Sequence, residues 1–132
     1  MSSEPGGRGR PIVVVEDDKD TREIISAVLE KAGYEVRSAP NGLRLLSMLQ
    51  SENPFVILMD VMLSWIDGFE LCKALKRNPE FKDVPVIFIS GRTAEADIEK
   101  GFESGGTDYF TKPVDFERLL SRVAEISGRE KR

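Results

Sequence analysis

Histidine is absent from all 132 residues. Its absence excludes imidazole metal ligands, Ser/His and Cys/His catalysis, and a phosphohistidine relay residue within the chain. Cysteine is nearly absent too. The single Cys72 cannot form an internal disulfide and is compatible with a reducing compartment. Placed between Leu71 and Leu75, it reads as helix packing rather than as a reactive thiol. No apolar run approaches the length of a membrane span, and the opening "MSSEPGGRGR" lacks the apolar core of a signal peptide. The expected compartment is therefore the cytoplasm, with no membrane contact. A basic face is missing as well. The net charge is −4; the first ten residues carry +1 and the last six +2, which leaves −7 on the body between them. Such a body is unsuited to direct nucleic-acid binding and better suited to a cationic partner or a bound metal.

What is present is the composition of an ordinary globular protein, 40% hydrophobic and 32% charged, at a length that supports one domain with a real core. Residues 1–10, rich in Gly, Ser, Pro and Arg with nothing to bury, are expected to form a flexible leader. Residues 11–127 are expected to fold, and 128–132 to form a basic tail or the start of a linker. Short β-rich runs occur at Ile12–Val15, Tyr34–Ser38, Phe55–Met59, Val84–Ile89 and Asp108–Thr111. Helical patterns lie between them. Ile24, Ile25, Val28, Leu29 and Ala32 share one face, ended by Gly33 as a C-cap. Leu45, Leu46, Met48 and Leu49 mark a second helix. Phe69, Cys72 and Leu75 mark a third, stopped before Asn78-Pro79. Phe116, Leu119, Leu120, Val123 and Ile126 mark the last, N-capped by Asp115. The fourth, roughly Thr93 to Ser104, has a thin apolar face of Ala94, Ile98, Phe102 and Ala96. A helix that buries so little is loosely held and is the candidate moving part.

Five strands alternating with five helices give a (βα)5 pattern, hence an α/β fold with a parallel sheet covered on both faces. In such doubly wound sheets ligands bind beyond the carboxyl ends of the strands. Those ends carry Glu16-Asp17-Asp18, Asp60, Ser90-Gly91 and Lys112-Pro113. Clustered carboxylates repel one another unless a cation or a lysine sits among them. All-oxygen ligation without His or thiolate suits a hard ion, with Mg²⁺ the physiological choice. An acid, a metal, a lysine and a hydroxyl on one rim equip a chain to place a phosphoryl group on a carboxylate.

From about Pro11 to Ser127 the chain resembles the receiver domain of two-component response regulators. The matching stretches are "VVVEDD", "VILMDVML", "DGFELC", "VIFISG" and "GGTDYFTKPV", in that order and at family-like spacing. The resemblance implies a five-stranded sheet in the flavodoxin-like order 2-1-3-4-5. It implies that Asp60 accepts a phosphoryl group from a kinase phosphohistidine. Asp17 would ligate Mg²⁺ directly and Glu16 mainly through water, with the Met62 carbonyl completing the protein's share; Mn²⁺ could substitute. Lys112 would pair with the phosphoryl oxygens, Ser90 would hydrogen-bond one of them, and Tyr109 would change rotamer on activation. Lys112-Pro113 is expected to be a cis peptide. The implied partners are a sensor histidine kinase or phosphotransfer protein, and a downstream protein on the face formed by the fourth helix, fifth strand and fifth helix. The expected assembly is a monomer or a weak phosphorylation-dependent dimer. The module would modify itself and turn over no external substrate.

Each residue also has a plainer reading. Asp18 reads as the first helix's cap, Asp67-Gly68 as a turn into the third helix, and Trp65 as either a partner contact or solvent-side packing. Glu16 and Ser90 stand where Asp and Thr are the commoner family residues. Ser64 stands where many members carry proline and Trp65 where a small residue is frequent, which leaves the loop after Asp60 open. Met62 and Arg92 occupy variable positions that influence phosphoryl lifetime in the family. The alternative function is a degenerate, phosphorylation-independent interaction module; the Glu16, Asp17, Asp60, Ser90 and Lys112 set speaks against it. A phosphatase of the haloacid-dehalogenase type would want a second acid where Met62 stands. Flavin binding would want a phosphate loop where "EDDKDTRE" stands. With only "GREKR" after Ser127, the chain is expected to be a free-standing receiver or the receiver portion of a longer regulator or hybrid kinase.

Overall fold

The computed structural model describes residues 9–130. Strands and helices alternate along the chain: β1 (Ile12–Val15), α1 (Lys19–Lys31), β2 (Val36–Ala39), α2 (Gly42–Met48), β3 (Val56–Met59), α3 (Gly68–Lys76), β4 (Val86–Ser90), α4 (Glu95–Glu103), β5 (Asp108–Thr111) and α5 (Phe116–Glu130). All five strands are parallel, in the order β2-β1-β3-β4-β5. The fold is thus the flavodoxin-like type, a doubly wound α/β sheet. The expected leader falls mostly outside the described residues, as does the end of the expected tail. Arg10 is tied to the body: its guanidinium donates to the carbonyls of Asn53 at 3.0 Å and Pro54 at 2.8 Å. Helix α5 runs on past Ser127.

The strands are apolar because both faces of the sheet are covered. Every residue of β1, β3 and β4 is buried. Alternate side chains feed two cores, as the period of two requires. Val13, Val15, Ile57, Met59, Val86 and Phe88 pack with α2 and α3, while Ile12, Val14, Val56, Leu58, Ile87 and Ile89 pack with α1 and α5. The expected helix faces are broader than those observed. On α1, Ile25 and Leu29 are buried and Ile24 is 54% exposed. Residues 24 and 25 lie about 100° apart on a helix, so only one can point at the sheet. Leu46, next to buried Leu45, is exposed for the same reason, whereas Ala32 is exposed because it is the C-cap, past the end of α1.

Local chemistry sets the helix ends. Asp18, Asn41, Asp67 and Asp115 each accept a backbone N–H from the first turn of α1, α2, α3 and α5. Gly33, at φ 103°, closes α1 with a Schellman pair, Gly33 N–H to Glu30 and Tyr34 N–H to Leu29. Helix α4 differs. Ala94 at its N-cap offers no side-chain hydrogen bond, and Gly101 is its only buried residue. Ala94, Ala96 and Phe102, expected on its apolar face, are exposed.

Gly101 is there to admit a ring. A Cβ at this position would lie 2.8 Å from Cδ2 of Tyr109 and 3.3 Å from Phe88. Burial raises the Tyr109 phenol above its ordinary value of 10.0. Replacing Gly101 with Ala gains about 1 kcal/mol of helix propensity and forces the ring to move. In a Tyr34→Phe background, the Gly101→Ala variant is expected to titrate its remaining tyrosine nearer the ordinary value than its parent does. An unchanged phenol titration by ultraviolet difference spectroscopy would show that α4 shifts instead of the ring.

Candidate functional site

The strand order reverses between β1 and β3, and there the acids meet. Register pairs Val15 with Met59, so the residues that follow, Glu16 and Asp60, emerge side by side. The Asp60 N–H donates to the Val15 carbonyl at 3.0 Å, locking that adjacency. Both acids are buried, Glu16 at 2% and Asp60 at 5% exposure, whereas Asp17 is exposed. Each of the three offers an oxygen within 4.8 Å of the others. Asp18 has turned away to cap α1, accepting the Thr21 N–H at 2.9 Å and its hydroxyl at 2.6 Å.

Lys112 enters from the neighbouring strand ends. Its N–H donates to the Ser90 carbonyl at 2.9 Å, carrying on the pairing of Ser90 with Thr111. Its Nζ reaches Oε1 of Glu16 at 2.9 Å and Oδ2 of Asp60 at 3.1 Å. The Lys112–Pro113 peptide is cis. Burial lifts the Glu16 carboxyl above its ordinary 4.5, the nearby Asp60 charge adds to this, and the Lys112 hydrogen bond opposes it. For Lys112 burial favours the neutral amine, yet the bonds and charges of Glu16 and Asp60 outweigh it and raise the ammonium above 10.5.

Ser90 is fully buried, and its Oγ accepts the Arg92 N–H at 3.1 Å. The Tyr109 hydroxyl donates to the Arg92 carbonyl at 2.8 Å, with its ring 6.0 Å from that of Phe88. The ring, 8% exposed, therefore already sits inward. Arg92 also reaches Asp97 of α4 at 3.6 Å. Met62 contributes its N–H, which donates to Oδ1 of Asp60 at 3.1 Å, while its side chain is 54% exposed.

Three features of this pocket are not apparent from the sequence alone. Gly68 presses on the acceptor: a Cβ there would lie 2.4 Å from the Asp60 carbonyl oxygen. The Gly68 N–H also donates to the Val61 carbonyl at 2.7 Å, closing the loop. The second feature is the Arg92 carbonyl, a backbone acceptor that no side-chain motif reports. The third is Trp65, whose φ of 52° is the only positive value among the described non-glycine residues. For a bulky residue that conformation costs on the order of 1–3 kcal/mol.

Three carboxylates facing one ammonium leave two negative charges unmatched when all are ionised. The donors are all oxygen. That set fits a hard divalent cation of the Mg²⁺ kind.

A buried carboxylate beside a lysine, at the switch point of a doubly wound parallel sheet, stands where such folds carry their functional sites. The chain belongs to the response regulator receiver domain family, whose model matches residues 12–124. It is 36% identical over 121 residues to the DNA-binding dual master transcriptional regulator RpaA of Synechocystis sp., covering 92% of this chain and 50% of that protein. It is 36% identical to response regulator PleD of Caulobacter vibrioides, covering 88% of this chain and 26% of PleD. The chain thus spans half or less of these curated relatives. Among solved structures, the Francisella response regulator 1452 receiver domain superposes with a TM-score of 0.85 at 30% identity, covering 92% and 98% of the two chains. Chemotaxis response regulator CheY4 of Vibrio cholerae gives 0.81 at 29%, covering 89% and 98%. Receiver domains are signalling modules of two-component systems, not turnover enzymes. No described helix is long and apolar enough to cross a membrane.

Gly68→Ala is expected to destabilise the protein by about 1–3 kcal/mol, because the new methyl overlaps backbone that cannot rotate away. Urea denaturation checks this, and an unchanged midpoint would remove Gly68 from the set of residues that fix Asp60.

Proposed function

We propose that this chain is a phosphorylation switch in which Asp60 receives a phosphoryl group from the phosphohistidine of a sensor kinase or phosphotransfer protein. The observation that carries the reading is the Lys112 ammonium held between Glu16 and Asp60 at 2.9 and 3.1 Å. A buried acid with a cation already at its oxygen is prepared for an incoming anion. In the transfer, an Asp60 carboxylate oxygen forms the new P–O bond as the P–N bond to the donor imidazole breaks. The imidazole keeps that electron pair and takes a proton from solvent. The Met62 N–H holds Oδ1 of Asp60 and so fixes the plane of the attacking carboxylate. Lys112 passes one of its hydrogen bonds to a phosphoryl oxygen, and the Ser90 hydroxyl takes another. Glu16, Asp17, Asp60 and the Met62 carbonyl are the residues that would hold Mg²⁺. Bound there, the ion supplies positive charge against the phosphoryl oxygens, and Mn²⁺ could serve in its place.

Phosphorylation adds roughly −1.5 to −2 of charge at Asp60. Drawing the Ser90 hydroxyl toward it withdraws the acceptor of the Arg92 N–H. Arg92 in turn holds the Tyr109 hydroxyl and Asp97 of α4. The rotamer of Tyr109 and the seat of the uncapped α4 then shift together, altering the α4–β5–α5 face offered to a downstream protein.

Asp60→Asn is expected to abolish phosphorylation by acetyl phosphate with Mg²⁺, followed by intact-protein mass spectrometry; labelling at the wild-type rate would refute the assignment. Asp17→Asn is expected to weaken Mg²⁺ binding at least tenfold, roughly the loss that disturbing even an outer partner of a metal ligand causes. The same change relieves repulsion and raises urea stability without the metal. Trp65 fluorescence during Mg²⁺ titration, read with a metal-free urea curve, checks both.

A further inference from the structure

We propose that Trp65 is a docking contact for the protein that carries the phosphohistidine, and that it makes the site discriminate protein donors from small-molecule ones. The inference rests on the phosphoacceptor reading above and names a specificity residue for it. Two three-residue turns shape the loop after Asp60: the Leu63 N–H donates to the Val61 carbonyl at 3.0 Å, and the Ile66 N–H donates to the Ser64 carbonyl at 2.8 Å. Trp65 is the middle residue of the second, and its φ of 52° suits glycine far better than a β-substituted residue. The indole lies mostly in solvent, so interior packing offsets little of that strain. At 68% the indole is the most exposed large apolar side chain among the described residues, and Met62 of the same loop is 54% exposed.

This loop is not a free tether. The Met62 N–H is bonded to Asp60 at one end, and Gly68 is seated on the Asp60 carbonyl at the other. The backbone that carries the indole is therefore anchored to Asp60 on both sides. Asp60 is 5% exposed, so a phosphorylated imidazole must be brought down onto it, and the donor surface around that imidazole must overlie the rim. A rigid aromatic that is dry in the complex and wet in the free protein is the usual anchor of such a contact. Acetyl phosphate has no surface beyond its reacting group and needs no anchor.

The test compares two donors on wild type, Trp65→Ala and Trp65→Gly. One is acetyl phosphate with Mg²⁺; the other is an autophosphorylated histidine-kinase core chosen because it phosphorylates the wild-type chain. Trp65→Gly guards against a folding artefact, since it relaxes the backbone. Transfer from the kinase is expected to slow about tenfold or more in both variants through a raised KM, the size of loss an interface anchor gives. The acetyl phosphate rate should stay within about twofold. Equal rates from the kinase in wild type and variants overturn the proposal, as does a parallel loss with both donors, which would place Trp65 in the chemistry of Asp60. If neither acetyl phosphate nor any histidine-kinase core screened labels Asp60 of the wild-type chain, the phosphoacceptor reading itself is overturned, and that failure is told apart because it comes before any variant is made.

Discussion

Two carboxylates are buried side by side in this protein, and one ammonium makes that tolerable. Glu16 and Asp60 are forced together by the register of β1 and β3. Their mutual repulsion and loss of hydration would be costly were Lys112 not hydrogen-bonded to both. The arrangement is deliberately incomplete. One lysine cannot balance three acids, which leaves a cluster able to hold a further cation. Stability and chemistry draw on the same ion pair.

The sheet connects that pair to the helix α4 side of the molecule. Lys112, Ser90 and Asp60 stand at the ends of three adjacent strands, β5, β4 and β3. The link outward is short: Ser90 holds the Arg92 N–H, and the Arg92 carbonyl holds the Tyr109 hydroxyl. Tyr109 occupies the hollow left by Gly101, and Gly101 is the only buried residue of α4. The least anchored helix is thus the one that rests on this link. A helix with a capped start and a full apolar face would resist a small displacement at Ser90. One with neither can follow it.

The loop after Asp60 shows a different economy. Gly68 is fixed by backbone contact with Asp60, Asp67 caps α3, and the Met62 N–H orients the acceptor. Between these constraints the chain has a few residues in which to turn. It does so with a tryptophan in a conformation that glycine would adopt more cheaply. The indole stands mostly in solvent, so interior packing offsets little of that strain.

Much was determined by the sequence alone. Alternating β-rich and helical runs, apolar β1, β3 and β4, and four polar N-caps are local properties, and they specify a doubly wound α/β sheet with little ambiguity. Carboxylates, lysine and serine at strand ends mark the rim because parallel strands place all their carboxyl ends together. The tertiary structure decided what depends on non-local distance. It set which side chain of a broad helix face is buried, as with Ile25 over Ile24. It brought Lys112 onto both Glu16 and Asp60 across 96 and 52 residues of chain. It gave Gly68 and Gly101 their purpose, since a glycine in sequence does not say which atom its missing Cβ would have struck. It also made the Arg92 carbonyl part of the link, and a backbone oxygen carries no mark of its residue's identity.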